Sequence, residues 1–350
     1  SRLREPRHTV LGTLARQARE RGAETILLAG DTFDTETPAP DVRRQAFTEM
    51  AHHSPIQWVI LPGNHDSLQA TELWAKLHDE APSNILLATG AQPIALSADV
   101  FILPAPCTTR RPGRDLTEWM DAATTPEGAI RIGLAHGAIR DFSEDTVASE
   151  VIAPNRADRA GLNYMALGDW HGALQVDPRT WYSGTPEQDR FKHDCPGKAL
   201  LVSIADSSPL PEVEALPTAG FAWRSFDLHL LDGDDPAETL AHLLPEARDR
   251  RQTLARIVAT GRTRLGARAT LTRAIEDAAP DFAWLGLNDG GLATECEVDD
   301  LDAIDRGGAL REAADALLRE ARDESRSAAD RDIASAALAR LYSYAQTVAR

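Results

Sequence analysis

Four short apolar runs each end in a turn that carries carboxylate, amide or imidazole side chains, and this pattern constrains the fold most. The runs cover residues 25–29, 58–61, 130–135 and 164–167. They lead into Gly-Asp-Thr-Phe-Asp at 30–34, Gly-Asn-His-Asp at 63–66, His-Gly at 136–137 and Gly-Asp-Trp-His at 168–171. In open α/β sheets the ligand binds beyond the carboxyl ends of the strands. We therefore expect the four turns to meet in one cleft.

The segments around these runs predict helices, and their alternation with apolar runs indicates an α/β fold. Helical patterns cover residues 7–21, 41–50 and 68–79. Between residues 84 and 104, three apolar runs follow one another with only turn residues between them, and two more occupy 180–186 and 198–204. Strands so closely spaced leave no room for helices. We predict an α/β fold with mixed β-sheets sandwiched by helices.

A second domain is predicted after residue 225. The apolar pattern thins over 207–220, where Pro and Gly recur, and this favours a boundary. Residues 1–225 would form the catalytic domain. Residues 226–350 would form a small α+β domain with strands at 255–260 and 282–287 and helices at 265–278, 309–321 and 329–344. Its sequence carries no cluster of metal ligands, so we interpret it as a cap, docking or dimerisation unit.

Composition limits the compartment and the partners. No apolar run approaches the roughly 18 residues of a membrane span, and no signal-peptide core follows Ser1, so a cytoplasmic location is expected. Cys107, Cys195 and Cys296 are far apart and odd in number, which suits a reducing compartment. The formal net charge of -17 opposes DNA binding over the whole surface. Contact with DNA would therefore need a local basic patch or a partner.

Together, the four motifs resemble the calcineurin-like metallophosphoesterase superfamily. That resemblance implies two divalent metal ions, most readily Mn and alternatively Mg, which clamp a phosphoester between them. Asp31 matches the carboxylate that bridges the ions. Asn64 and His136 match ligands of one ion, and His171 matches a ligand of the other. Asp169 stands where nucleases of this type usually place a His, and its carboxylate is a competent ligand for Mn or Mg.

Two further residues match catalytic positions of the superfamily. His65 corresponds to a histidine that faces the scissile phosphate and stabilises the transition state or protonates the leaving oxygen. Asp34 corresponds to the partner that orients this histidine. The resemblance thus implies in-line hydrolysis assisted by the His65–Asp34 pair.

Within the superfamily, residues 1–205 are most similar to DNA repair exonucleases of the SbcD type. The wider features are Leu-Pro-Ala-Pro at 103–106 and Trp-Tyr-Ser-Gly-Thr-Pro-Glu at 181–187. Ser/Thr phosphatases carry an Arg after Gly-Asp-x-x-Asp to grip a phosphate monoester, whereas this chain has Thr35, which favours diesters. The resemblance implies DNA as substrate, a homodimer and an SMC-like ATPase partner.

The sequence departs from the superfamily at its first motif. The Asp-x-His of an N-terminal strand, which normally holds the first metal, is absent, and the chain opens in a predicted helix. Either the upstream residues are missing from this sequence or the first metal site is impaired. We favour the first alternative, in which the chain is a fragment, because a sheet without its first strand would leave unpaired edges inside a core.

Basic side chains near the motifs are candidates for phosphate contact. Arg110, Arg111 and Arg114 form one loop, and Arg190 with Lys192 forms another. Arginine matches phosphate oxygens well, but short charge runs are also common on solvated surfaces. For Trp170, between two predicted ligands, we favour packing against the sheet over stacking on a base.

The sequence therefore predicts a two-metal phosphodiesterase, most similar to a DNA exonuclease or endonuclease acting in repair. One alternative is an enzyme of the same fold that acts on small nucleotides. The other is a binding or scaffold protein with a decayed site, which the missing first motif and Asp169 would favour.

Overall fold

The computed structural model describes residues 5–139, 151–191, 196–205, 208–295 and 298–348. The chain divides into two compact units, one of Ser1–Asp189 with Cys195–Gly220 and one of Arg190–Asp194 with Phe221–Arg350. Residue 225, near which the sequence predicts a boundary, lies inside a strand of the second unit. None of the described helices combines the length and apolar character that a transmembrane segment requires.

The first unit alternates helices with short strands, as the sequence predicts. Its elements are α1 (Glu5–Glu20), β1 (Thr25–Leu28), α2 (Pro40–His52), β2 (Gln57–Ile60), α3 (Thr71–Glu80), β3 (Ile85–Leu87), β4 (Ile94–Ala95), β5 (Val100–Ala105), β6 (Ile130–His136), α4 (Arg156–Arg159), β7 (Tyr164–Gly168), β8 (Leu174–Gln175), β9 (Thr180–Tyr182), β10 (Lys198–Ser203) and β11 (Glu212–Pro217). A 3₁₀ turn covers Glu118–Ala122.

Two sheets form the centre of this unit. Strands β1, β2 and β3 make a parallel sheet, and a six-stranded sheet has the order β4-β5-β6-β7-β9-β8. The inner strands of the larger sheet are parallel, while β4 and β8 pair antiparallel at its two edges. The sheet is therefore mixed, and the predicted α/β class is confirmed. Strands β10 and β11 form a separate antiparallel pair.

Apolar side chains pack the two sheets against each other and against the helices. Val59 and Leu61 of the first sheet share a buried cluster with Ile102 and Leu134 of the second. On the other side of β2, Trp58 packs in a cluster with residues from α1, α2 and α3. Strand β2 is thus covered on both faces, which is why it reads as a continuous apolar run.

The second unit is a parallel three-stranded sheet with helices. Its elements are β12 (Ala222–Leu230), α5 (Pro236–Leu243), α6 (Ala247–Arg250), β13 (Thr253–Arg264), α7 (Leu265–Ala278), β14 (Trp284–Glu295), α8 (Val298–Ile304), α9 (Ala309–Arg322) and α10 (Ala328–Val348). The strand order is β12-β13-β14. Residues of α5 and α7 form one apolar core with the sheet. A second cluster joins the start of α7 to α8, α9 and α10.

Candidate metal and phosphoester site

The four motif turns follow strand ends in the two sheets of the first unit. Strands β1 and β2 are parallel neighbours, so the turns after them leave the same edge of one sheet. In the other sheet, His136 of β6 is the register partner of Gly168 of β7. A hydrogen bond of 2.8 Å between Nδ1 of His136 and the carbonyl oxygen of Ala29 connects the two sheets at this point. The turns therefore meet in one place.

His136 is a buried imidazole at the centre of this meeting point, with 7% of its surface exposed. The Ala29 carbonyl can only accept a hydrogen bond, so Nδ1 carries a proton. The other nitrogen, Nε2, lies 3.3 Å from Oδ2 of Asp31 and 3.8 Å from Oδ1 of Asp169. A backbone carbonyl that fixes the tautomer in this way is the usual second partner of a metal-binding histidine.

Electrostatics couples His136 to Asp31. Burial of the His136 ring disfavours its charged form, but Asp31, the Ala29 carbonyl and Asp169 outweigh burial and raise the pKa of His136. Burial alone would raise the pKa of Asp31. The contacts with His136 and with the N–H of His65 outweigh burial, so the pKa of Asp31 is lowered overall. The Asp31 carboxylate is therefore held ionised beside the His136 ring.

Two buried polar atoms at this site lack a hydrogen-bond partner within the described part of the chain. They are Oδ1 of Asn64 and Nε2 of His136, which is 3.3 Å from Asp31 but makes no well-formed hydrogen bond with it. Asn64 follows Gly63, which packs against Asp31, and precedes His65, whose N–H donates to Oδ1 of Asp31 at 2.8 Å. Buried polar atoms are normally satisfied, so two of them beside one carboxylate indicate a missing ligand. An imidazole nitrogen, an amide oxygen and a carboxylate together fit one divalent cation.

The described residues bring together only part of the predicted two-ion ligand set. Among the described residues, no group of three or more His, Cys, Asp and Glu side chains is arranged to hold a metal ion. Asp31 and His136 supply two such side chains, and Asn64 adds a donor of another type. Asp169 is 37% exposed at its side chain and reaches the His136 side of the site. His171 lies on the same turn, and its predicted role as a ligand stays a prediction.

The backbone around the site is unusual in ways that bring side chains close together. Asp31 and Asp169 have φ of 53° and 98°, a region that residues other than glycine rarely adopt. A Cβ on Gly63 would overlap Oδ1 of Asp31, and a Cβ on Gly168 would overlap the carbonyl oxygen of Ala29. The sequence analysis predicted no such contacts, because they join residues that are distant along the chain.

Asp66 connects the first two motif turns, a role that the sequence analysis missed. It is fully buried, and its two carboxylate oxygens accept hydrogen bonds from the N–H of Gly63 at 2.7 Å and of Phe33 at 3.1 Å. Burial raises the pKa of Asp66 to about 6 despite these two donors. The signal available in the sequence was its position in Gly-Asn-His-Asp, directly after His65.

Tyr182 and Cys107 hold the segment around His136, and neither was predicted to do so. The Tyr182 hydroxyl donates to the carbonyl oxygen of Gly137 at 2.8 Å and accepts from the N–H of Ile139 at 3.0 Å. The Cys107 thiol donates to the carbonyl oxygen of His136 at 3.5 Å. Tyr182 belongs to the 181–187 segment on which the family resemblance partly depends, so its position was the available signal.

The predicted catalytic pair lies at the surface of this site. The backbone of His65 is fixed on Asp31, and its ring is exposed. Asp34 is exposed three residues after Asp31, and its role in orienting His65 stays a prediction. Trp170 is 46% exposed, so the expectation that its ring is packed against the sheet is wrong.

The predicted basic residues fall into two groups. Arg110, Arg111 and Arg114 are exposed on a loop that begins at Cys107, whose backbone is hydrogen-bonded to Pro62 and Leu68 on either side of the Gly-Asn-His-Asp turn. This loop therefore leaves directly from the site. Arg190 belongs to the second unit, and Lys192 lies outside the described residues.

Comparison with known proteins identifies the family. A family model described as calcineurin-like phosphoesterase matches residues 6–191, more than half of the 350-residue chain. The protein therefore belongs to the calcineurin-like phosphoesterase family, and this membership indicates a hydrolase that acts on phosphoesters. No curated protein is significantly similar to the chain.

Solved structures add little to this assignment. Among 51 chains that match, one crystal structure has 12% sequence identity and a TM-score of 0.38, over 59% of this chain and 94% of that chain. This similarity is too low to support an argument about fold or function.

Proposed function

We propose that the protein is a metal-dependent phosphodiesterase, and specifically a DNA nuclease of the SbcD type that acts in repair. One observation carries the metal-dependent part. Among the described residues, Oδ1 of Asn64 is buried without a hydrogen-bond partner, and Nε2 of His136 has only an imperfect contact of 3.3 Å with Asp31. A divalent cation satisfies all three side chains at once.

Three residues of this chain would hold that cation, namely Asp31, Asn64 and His136. When bound, a divalent metal polarises the phosphoryl oxygen and lowers the pKa of water. We propose Mn, with Mg as the alternative, because two of the three donors are hard oxygens. Members of the family generally bind two divalent ions. We propose Asp169 and His171 as ligands of the second ion, beside Asp31.

His65 is the proposed general acid. Its backbone N–H is fixed on Asp31, so the start of its side chain is held beside the carboxylate, while the ring stays open to a substrate. An imidazole in this position can hold a proton for the departing oxygen of the substrate. Asp34 is proposed to orient the ring.

Two features favour a diester, and DNA in particular. Thr35 accepts a hydrogen bond from the N–H of Thr37 at 2.9 Å and offers no positive charge to a phosphate monoester. The exposed Arg110, Arg111 and Arg114 stand on a loop that leaves the site, where guanidinium groups can contact the phosphate backbone. DNA ends as substrate, an SMC-like ATPase as partner and a homodimer all remain proposals from the family resemblance.

The test measures the rate of hydrolysis by the full-length product of the reading frame, in the presence of either Mn²⁺ or EDTA. The substrates are bis(p-nitrophenyl) phosphate, p-nitrophenyl phosphate and end-labelled linear duplex DNA. His65→Ala is expected to lower kcat about 100-fold to 10,000-fold, the usual contribution of a general acid. His242→Ala is the matched control, because that ring is 80% exposed on a helix of the second unit. Its kcat should not change.

Each outcome selects one function. Mn-dependent digestion of duplex DNA that is lost in His65→Ala supports the nuclease. Hydrolysis of the small diester without digestion of DNA supports the alternative, an enzyme for small nucleotides. A protein that binds Mn²⁺ but hydrolyses none of the three substrates would be a binding or scaffold protein of the same fold.

A further inference from the structure

Asp66 is a buried carboxylate that the proposed reaction does not use. It follows His65 in the Gly-Asn-His-Asp turn and is 0% exposed. Removing a carboxylate from water costs free energy, and hydrogen bonds must compensate for that cost. The groups that bond Asp66 therefore indicate what it does in the structure.

The two oxygens of the Asp66 carboxylate bond to two different turns. Oδ1 accepts a hydrogen bond from the N–H of Gly63 at 2.7 Å, and Oδ2 accepts one from the N–H of Phe33 at 3.1 Å. Gly63 directly precedes Asn64, and Phe33 lies two residues after Asp31. One side chain thus joins the two segments that carry the amide and the carboxylate of the candidate cation site.

The two joined segments are also packed against each other without spare room. A Cβ on Gly63 would overlap Oδ1 of Asp31, and the same Oδ1 accepts a hydrogen bond from the N–H of His65 at 2.8 Å. Between these two positions lies Asn64, whose buried Oδ1 has no hydrogen-bond partner among the residues that the structure describes. A shift of the turn at Gly63 would therefore move Asn64 relative to Asp31.

A separate partner holds the backbone of Asp66. Nε1 of Trp74, a residue of α3 that is 6% exposed, donates to the carbonyl oxygen of Asp66 at 2.8 Å and to that of Ser67 at 3.1 Å. The main chain and the side chain of Asp66 thus have different partners. Mutation can remove one set of hydrogen bonds and keep the other.

We propose that Asp66 is a positioning residue that sets the affinity of the site for its divalent cation, because it holds Asn64 beside Asp31. This proposal rests on the metal-dependent function proposed above. Both Asp66 oxygens are engaged by backbone N–H groups, so Asp66 acts through the two candidate ligands. Ligands that are held in place before binding lose less freedom when the ion arrives.

The test measures the Kd for Mn²⁺ by electron paramagnetic resonance, which detects the ions that remain free in solution. The candidate site is the saturable part of binding that His136→Ala removes. Asp66→Asn should raise its Kd about 10-fold to 100-fold, the usual effect of losing a group that supports a metal ligand. The new NH₂ group cannot accept, so the N–H of either Gly63 or Phe33 loses its partner. Asp66→Glu retains both acceptor oxygens and should recover most of the affinity.

Trp74→Phe is the matched control for a loss of stability alone. It removes the buried hydrogen bond to the Asp66 carbonyl and leaves the carboxylate intact. Trp74→Phe should lower the unfolding temperature, as Asp66→Asn does, but leave the Kd for Mn²⁺ unchanged. Circular dichroism verifies that each variant is folded at the temperature of the titration.

Hydrolysis of bis(p-nitrophenyl) phosphate gives a second readout. The Mn²⁺ concentration that gives half of the maximal rate should rise in Asp66→Asn and stay unchanged in Trp74→Phe. An unchanged Kd in Asp66→Asn, or an equal rise in Trp74→Phe, would overturn the positioning role even if the diester is hydrolysed. If the unmodified protein binds Mn²⁺ but hydrolyses no ester, the proposed function fails, and a Kd that rises only in Asp66→Asn would still support the role of Asp66.

Discussion

Tyr182 illustrates how a single hydroxyl group shapes this site. The hydroxyl is buried and makes two hydrogen bonds to the backbone of Gly137 and Ile139, directly after His136. Ile139 is also buried, so its N–H has no access to water. The orientation of the His136 segment therefore depends on one atom contributed by a strand that lies 46 residues later in the sequence.

Tyr182→Phe should lower the free energy of unfolding by about 1–3 kcal/mol, because it leaves a buried N–H and a carbonyl oxygen unsatisfied. Phosphodiesterase activity should fall as well, since His136 loses a support. Urea unfolding followed by circular dichroism measures the first effect. The matched control is Tyr344→Phe, which removes a hydroxyl from a side chain that is 58% exposed. A loss of stability no greater than that of the control would contradict this prediction.

At the scale of elements, a buried ion cluster holds the far end of the arginine-rich loop. Arg156 of α4 is almost fully buried and contacts Asp115 at 2.8 Å and Asp121 at 2.5 Å. Burial alone would raise the pKa of Asp115. Hydrogen bonds from Thr117 and Arg156 outweigh burial, so the pKa of Asp115 is lowered overall. Cys107 ties the near end of the loop to the site, so the loop is fixed at both ends.

Arg156→Met should lower the free energy of unfolding at neutral pH by about 3–5 kcal/mol, because two carboxylates lose their buried partner. Arg159→Met is the matched control. Arg159 contacts the same Asp121, but its side chain is 53% exposed, so a loss below about 1 kcal/mol is expected. Equal losses in the two variants would show that burial of Arg156 is unimportant.

The same cluster predicts a pH dependence. The pKa of Asp115 is lowered in the folded state, so its ionised form contributes stability above the unfolded pKa, near 4, and this contribution is lost as the pH falls. Unfolding free energy should therefore decline more steeply below pH 4 in the unmodified protein than in Arg156→Met. Urea titrations between pH 3 and pH 7 would test this, and parallel curves would refute it.

At the scale of the whole molecule, the acidic balance and the candidate site make a joint prediction about metals. The chain has 54 acidic and 37 basic residues, giving the net charge of -17, so divalent cations can associate weakly with many surface groups. Specific binding must therefore be distinguished from this background. Mutation of the site can separate the two kinds of binding, because the candidate site has few ligands while the surface carboxylates are many.

Mn²⁺ should raise the unfolding temperature, and EDTA should reverse the effect. At a free concentration 100 times Kd, a single site adds about 2.7 kcal/mol to the free energy of unfolding. His136→Ala should abolish the saturable part of this shift, while His242→Ala should retain it. Calorimetry at several Mn²⁺ concentrations makes the measurement. The same shift in both variants would mean that the cation binds elsewhere.

Local patterns determined much of the fold. The predicted helix at 265–278 coincides with α7, and the apolar runs before each motif are the strands β1, β2, β6 and β7. Strands β11 and β12 and helix α5 were not predicted. Strand β11 is largely exposed and exists by pairing with β10. A strand of this kind is defined by its neighbour more than by its own composition.

The sequence by itself determined the family, the order of the motifs and the strands that precede them, because these follow from local periodicity and from residues within a few positions. Only the tertiary structure decided the contacts across the two sheets. The hydrogen bond between His136 and Ala29 and the link that Asp66 makes between Gly63 and Phe33 both depend on groups far apart along the chain. Their positions follow from how the two sheets pack, which no local pattern encodes.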